Sequence, residues 1–237
     1  TSTDNTGGSG VASTRYTLDG TDPTTTSTLY TAAVPLSATT TVKYRSWDVA
    51  GNAEATKSQL VSVDNAAPVT SMLCNGNPCV ATGYSSPPSV SFTSADINGL
   101  GVASTHYTTD GTDPTLSSPT YTAPLSLGAT TTVKFRSWDT AGNVEATRTQ
   151  LVTVDATAPS TTVTGNNAAC GTTAYFSSVT IRLAATDDTG GSGVSSIHYT
   201  TNGTDPTLTS PTYTAAFTLT SSATVKFRAW DKVGNVE

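Results

Sequence analysis

A chain of 237 residues with a net charge of −6 and only 11 Lys+Arg lacks the basic stripe that a nucleic-acid partner demands. No apolar run approaches the roughly 18–20 residues needed to span a membrane, and no signal peptide is recognisable at the amino terminus. Thr supplies about a fifth of the residues while 12% are charged; β-branched Thr favours strands, and no stretch sustains a helical apolar period. The expected fold class is all-β. A surface wetted by hydroxyls instead of charges fits an extracellular setting, where O-linked sugars are added.

The first element met along the chain is also the first of three copies. Tyr16-Thr-Leu-Asp-Gly-Thr-Asp-Pro-Thr returns at Tyr107 and Tyr199, and Trp47 returns at Trp138 and Trp230, a spacing of 91 and then 92 residues. Such self-similarity means one unit repeated in tandem, and units of about 90–100 residues bury cores of their own. The expected modules are 1–64, 65–155 and 156–237. By alignment the first lacks its first two strands and the third its last, because Thr1 matches Thr93 and Glu237 matches Glu145. Either the chain is a window cut from a longer array, or neighbouring molecules donate the missing strands.

The linker Val63-Asp-Asn-Ala-Ala-Pro68 leads into the second copy, and Val154-Asp-Ala-Thr-Ala-Pro159 into the third. Both are short and proline-restricted, so successive modules should keep a narrow range of angles. Within the second copy the expected strands are Val69–Leu73, Val90–Ala95 (led in by Tyr84–Pro88), Ser104–Thr109, Thr120–Thr122, Leu125–Leu127, Thr131–Trp138 and a long last strand, Val144–Val154. Asp96-Ile-Asn-Gly-Leu-Gly is a loop and Asp110-Gly-Thr-Asp-Pro a dense turn. Seven short strands in this span predict an antiparallel β-sandwich. Thr131–Trp138 alternates, with Val133, Phe135 and Ser137 on one face and Lys134, Arg136 and Trp138 on the other. A last strand of about 11 residues would span roughly 36 Å, and the whole array a rod on the order of 100 Å.

Cys74 and Cys79 flank the turn residues Asn-Gly-Asn-Pro, which bring two strand ends to bridging distance. The expected disulfide contributes about 2 kcal/mol in the chain-entropy model and implies an oxidising compartment. In the third copy Gly165 replaces the partner of Cys170, leaving Cys170 a free thiol or one that pairs with another chain. The repeats also act as an internal control on chemistry. Asp19 and Asp110 become Asn202, which cannot transfer a proton but shares the Asp habit of bonding its own backbone. His106 and His198 become Arg15, which points to a surface polar group. No catalytic residue survives the comparison, and no enzymatic activity is expected.

Two groups of residues remain. Loop order places Asp96 and Asp139 near linker residue Asp64, and Asp187 and Asp231 near Asp155; such carboxylates suit calcium, which takes six to eight oxygens. The competing reading is that Asp139 and Asp231 cap Gly-Asn turns and Asp96 heads its loop. Apart from calcium no cofactor is implied. The stripe Lys134-Arg136-Trp138, with its counterparts ending in Trp47 and Trp230, reads as Arg–Trp cation–π packing, an interface with a neighbouring chain, or a glycan-stacking face. The sequon at Asn202 sits on a turn.

The run Tyr-Thr-Thr-Asp-Gly-Thr-Asp-Pro-Thr, followed by Ser-Pro-Thr-Tyr-Thr, Thr-Thr-Thr-Val-Lys-Phe-Arg-Ser-Trp-Asp and Gly-Asn, resembles bacterial immunoglobulin-like and fibronectin-III-like modules. It is most similar to the type found as the C-terminal domain of chitobiases. The resemblance covers nearly the whole chain and implies tandem immunoglobulin-like sandwiches; such modules serve as spacers, stalks and adhesin shafts, and as accessories of secreted glycosidases. The expected function is a non-enzymatic shaft or self-associating filament subunit of a secreted or cell-surface bacterial protein. The alternative is an accessory module of a glycosidase or adhesin that itself binds cell-surface polysaccharide.

Overall fold

The computed structural model describes residues 2–97, 99–171 and 174–237; Thr1, and Asn98 of the expected loop, lie outside the described residues. Every strand pairing between its named strands is antiparallel. In the first copy β1 (Val11–Thr17), β2 (Thr28–Leu29), β3 (Thr40–Asp48) and β4 (Lys57–Val61) form one sheet in the order β2-β1-β3-β4. The second copy holds β5 (Val69–Cys74), β6 (Asn77–Pro78), β7 (Ser89–Ala95), β8 (Val102–Thr108), β9 (Leu125–Ser126), β10 (Thr131–Asp139) and β11 (Arg148–Val152). These make a β6-β5-β7-β9 sheet facing a β11-β10-β8 sheet, a four-plus-three sandwich. The third copy pairs β13 (Ala168–Ala169), β12 (Ser160–Gly165), β14 (Val179–Thr186) and β16 (Phe217–Leu219) in one sheet, and β15 (Val194–Thr200) with β17 (Lys226–Asp231) in another.

The alternation expected in β10 holds: Val133, Phe135 and Ser137 are 0%, 4% and 0% exposed. With Cys74, Val90, Phe92, Leu127 and Val152 the two apolar residues form a closed core between the sheets of the second copy. Among the described residues the first copy has one sheet, and Tyr16, Tyr30, Val34, Leu36, Val42 and Tyr44 line an open cleft of about 1080 Å³ on its inner side.

Two strands differ from expectation. Thr120–Thr122 is not a strand; Thr120 forms a single bridge with His106, whereas in the first copy Thr28–Leu29, the counterparts of Pro119 and Thr120, form β2. The long last strand is broken. Only Arg148–Val152 pairs continuously, and Val144 makes an isolated bridge with Trp138. At the break Glu145 turns its carboxylate inward to accept the backbone N–H groups of Ser137 at 2.9 Å and Thr70 at 3.1 Å; the first copy breaks at the same place, with Trp47 bridging Ala53 and Lys57–Val61 pairing continuously. A five-residue strand replaces the 11-residue one, so the length argument built on that strand does not stand.

The second copy buries hydroxyls between its sheets. Ser137 Oγ lies 2.6 Å from Thr70 Oγ1, 2.7 Å from Thr105 Oγ1 and 2.9 Å from Ser94 Oγ. The third copy places Ala229, Ile197 and Ala185 at the positions of Ser137, Thr105 and Ser94, and there Thr161 Oγ1 donates to Glu237 instead. One fold thus tolerates a satisfied polar network or an apolar filling; a partly satisfied network is the costly state. Ser137→Ala alone should lower the stability of the second module by about 1–2 kcal/mol. The triple exchange Ser94→Ala, Thr105→Ile, Ser137→Ala should return it to within about 1 kcal/mol of the parent in urea unfolding. A triple variant worse than the single one would contradict this account.

Candidate functional site

The motifs that most resemble catalytic groups are already occupied by structural bonds. Asp110 Oδ1 accepts from Thr112 N at 3.0 Å and Thr112 Oγ1 at 2.6 Å, and Asn202 makes the same two bonds to Thr204. Hydrogen bonds from the Thr112 hydroxyl and backbone hold the Asp110 carboxyl below its usual range. Its neighbour Asp113 pairs with Lys134 at 2.8 Å, a bridge repeated as Lys43–Asp22 and Lys226–Asp205. The turn therefore uses both carboxylates for shape.

The histidines correct the surface assignment. His106 and His198 are 4% and 6% exposed. Their Nδ1 atoms lie 2.8 Å from the carbonyls of Ser118 and Ser210; a carbonyl only accepts, so Nδ1 carries the proton. Arg15 sends its guanidinium to the equivalent carbonyl of Ser27. The exchange that looked like surface tolerance is two donors serving one acceptor.

The tryptophan stripe is part of the same packing. His106 meets Trp138 edge-on at 5.2 Å and His198 meets Trp230 at 5.1 Å. The Arg136 guanidinium lies 4.8 Å from the Trp138 ring centroid, and Arg45 lies 5.7 Å from that of Trp47. Trp230 is 9% exposed, and Trp47 and Trp138 are half-buried. The arginines are fixed further, Arg136 Nε donating to Pro114 O and Arg45 Nε to Glu54 O.

The acidic residues converge at the start of each complete junction. Asp64, Asp96 and Asp139 offer carboxylate oxygens within 4.8 Å of one another, and so do Asp155, Asp187 and Asp231. Backbone donors fix each carboxylate. Asp64 accepts from Ala66 N and Leu100 N, Asp96 from Gly101 N, and Asp139 from Asn143 N and its side-chain amide. The second cluster repeats this with Asp155 on Thr157 N and Ser192 N, Asp187 on Gly193 N, and Asp231 on Asn235. Burial opposes the charge on Asp139 and on Asp155, yet their hydrogen bonds outweigh it and both carboxyls titrate below the usual range. Among the described residues none of the six forms a salt bridge. The Oδ1 atoms of Asp96 and Asp187 are shut off from solvent and accept no hydrogen bond. A Cβ at Gly99 would collide with the Asp96 carboxylate, and one at Gly191 would stand 2.6 Å from Asp188 Oδ1 and 2.9 Å from Asp187 Oδ2.

The same region ties down the linkers. Thr39 Oγ1 bonds both N and O of Val63, and Asn65 Nδ2 donates to Ser37 O; these bonds hold the linker to the first copy. Leu100 N donates to the Asp64 carboxylate and Asn143 Nδ2 to its carbonyl, at 2.8 and 3.1 Å; these hold it to the second. In the next linker Thr130 Oγ1 takes the role of Thr39 on Val154, and Asn235 Nδ2 donates to the carbonyls of Asp155 and Thr157. Pro68 and Pro159 are buried. Sequence reasoning read Asn143 and Asn235 as turn residues only; Gly-Asn in all three copies was the signal of a further task.

Cys74 and Cys79 form the expected disulfide, with Cα atoms 4.9 Å apart. The hairpin between them turns through Asn75 and Gly76 at φ 52° and 78°, which Asn tolerates and Gly takes without strain. Cys170 is free and exposed. A side chain at Gly165 would run into the Tyr175 ring, its Cβ 3.0 Å from Cζ, so Tyr175 occupies the space of the missing partner.

A family model described as the chitobiase/beta-hexosaminidase C-terminal domain matches residues 2–58, 80–149 and 170–237. None of the curated proteins is similar enough to the chain to be matched.

Proposed function

The chain belongs to the chitobiase/beta-hexosaminidase C-terminal domain family, matched once in each copy, and from that premise we propose that it is a non-enzymatic shaft of a secreted or cell-surface protein. The observation that carries the reading is the linker geometry. A flexible tether leaves its backbone to water, whereas Val63-Asp64 and Val154-Asp155 are hydrogen-bonded to the module before and the module after. Each junction spends side chains on holding an angle, which serves a spacer and would be wasted on a tether. The disulfide between Cys74 and Cys79 favours an oxidising, extracytoplasmic location. The carboxylates and imidazoles that chemistry would need are engaged in turns and packing.

Small-angle X-ray scattering tests this. The intact chain should scatter as one extended particle with a single narrow distribution of lengths. Asn143→Ala combined with Asn235→Ala should broaden that distribution, because the linker carbonyls of Asp64, Asp155 and Thr157 lose these donors. A parent chain that already scatters as beads on a flexible string would overturn the reading. Retention on insoluble chitin or cellulose would favour the polysaccharide-binding alternative instead; tryptophans that are buried or half-buried and packed on His or Arg argue for passage through the column.

A further inference from the structure

We propose that each junction is a binding site for a hard divalent cation of the calcium class, held by Asp64, Asp96 and Asp139 in one case and by Asp155, Asp187 and Asp231 in the other. Acidic groups near one another on a surface mean little by themselves. Here three carboxylates present oxygens within 4.8 Å, and Asp139, Asp155 and Asp231 are each 3% exposed. Among the described residues no lysine or arginine forms a salt bridge with any of them.

The independent observation is the orphaned oxygen. Asp96 and Asp187 each give one oxygen to a glycine N–H, while Oδ1 of both is buried with no hydrogen-bond partner. A buried anionic oxygen without a donor is a costly arrangement, and it occurs at the same position of both junctions. The backbone donors are spent on holding the carboxylates, and the ligand atoms each cluster offers are carboxylate oxygens. That donor set suits calcium, which accepts irregular geometry and completes its shell with carbonyls and water; magnesium demands a stricter octahedron. Thiols and imidazoles, which transition metals prefer, are absent from both clusters.

The first copy supplies an internal control. Asp4 and Asp48 stand where Asp96 and Asp139 stand, but Asp4 Oδ1 accepts from Asn5 N and Oδ2 from Gly10 N. Both of its oxygens are satisfied, so its loop carries no orphaned oxygen. The expected stoichiometry is therefore two ions per chain. Because Asp64 and Asp155 belong to linkers, a bound ion would lock each linker to the module that follows. That mechanical meaning rests on the shaft reading; the binding itself does not.

Calorimetric titration of the intact chain with calcium chloride should show two sites, with affinity in the range of about 10⁻⁴–10⁻³ M usual for extracellular modules. About 5 mM calcium should raise the melting temperature by several degrees, reversed by chelator. Asp96→Asn should remove one site, and the pair Asp96→Asn with Asp187→Asn both. Without calcium the paired variant should melt no lower than the parent, since Asn keeps the bond to Gly101 or Gly193 and removes a repelling charge. Absence of heat and of any melting shift up to about 10 mM calcium, or undiminished binding by the paired variant, would overturn the proposal. Scattering without calcium then decides the shaft reading by itself: a single extended particle that binds no ion would sink the site and leave the shaft.

Discussion

Replacing Glu145 by alanine is expected to cost the second module about 3–5 kcal/mol, more than any other polar substitution in it. The carboxylate is 7% exposed and joins the two sheets: Thr70 N, from β5, donates to Oε2 and Ser137 N, from β10, to Oε1. Thr70 and Ser137 are themselves wholly buried, so truncation strands two backbone N–H groups where water cannot reach them. Each such loss costs about 1–3 kcal/mol. Arg148, at 3.3 Å and largely solvated, adds little. Glu145→Gln should recover only part of the loss, because the amide offers one acceptor where two are needed.

The repeats make the comparison specific. In the third copy Glu237 clasps Thr161 N and Ala229 N in the same manner. In the first copy Glu54 accepts from Ser46 N and pairs with the exposed Lys57, without a facing sheet, so Glu54→Ala should cost far less than Glu145→Ala. One tryptophan per copy (Trp47, Trp138, Trp230) allows each module to be followed alone once the other two are changed to Phe. Urea unfolding followed at Trp138 should shift by the stated amount. A loss below about 1 kcal/mol would show that the clasp is not what closes the sandwich.

Why that clasp escaped a reading of the sequence is instructive. Val144–Val154 looks like one strand because every local feature agrees, with β-branched residues and no Gly or Pro. It is interrupted where Glu145 turns its carboxylate onto Ser137 N of the neighbouring strand, a break the first copy repeats at Glu54 and Ser46; the further bond to Thr70 spans 75 residues, and no local pattern carries either. His106 failed for a related reason: exchange with Arg15 implied solvent, whereas both side chains reach one loop carbonyl. In contrast the inward face of β10, the Cys74–Cys79 hairpin and the Asp110 turn were legible, because alternation and turn chemistry are local. The acidic junctions were legible through loop order alone. Which oxygens in them lack a partner was not, since that depends on where Gly101 and Gly193 aim their N–H groups.

Phe92→Ala should be the most damaging apolar substitution, at about 3–5 kcal/mol. The ring is 7% exposed and touches three others, Phe135 at 4.9 Å, Tyr121 at 5.0 Å edge-on and Tyr107 at 5.8 Å. The third copy shows what the site requires. There Leu183 replaces Phe92, while Phe217 replaces Leu125 and stacks on Tyr199 at 4.4 Å. Leu125 pairs with Val90 across β7 and β9, two residues from Phe92 on the same face, which is the diagonal neighbour within reach of an aromatic ring. One aromatic volume thus sits on either of two adjoining strands. Phe92→Leu alone should leave a gap worth about 1–2 kcal/mol, and Leu125→Phe alone should overpack by about 1–3 kcal/mol. The double variant should lie close to the parent, a favourable coupling of at least about 1 kcal/mol in a double-mutant cycle followed at Trp138. Simple additivity would mean that the two copies fill their cores by unrelated solutions; recovery would mean that the modules share one interior volume, met by different residues.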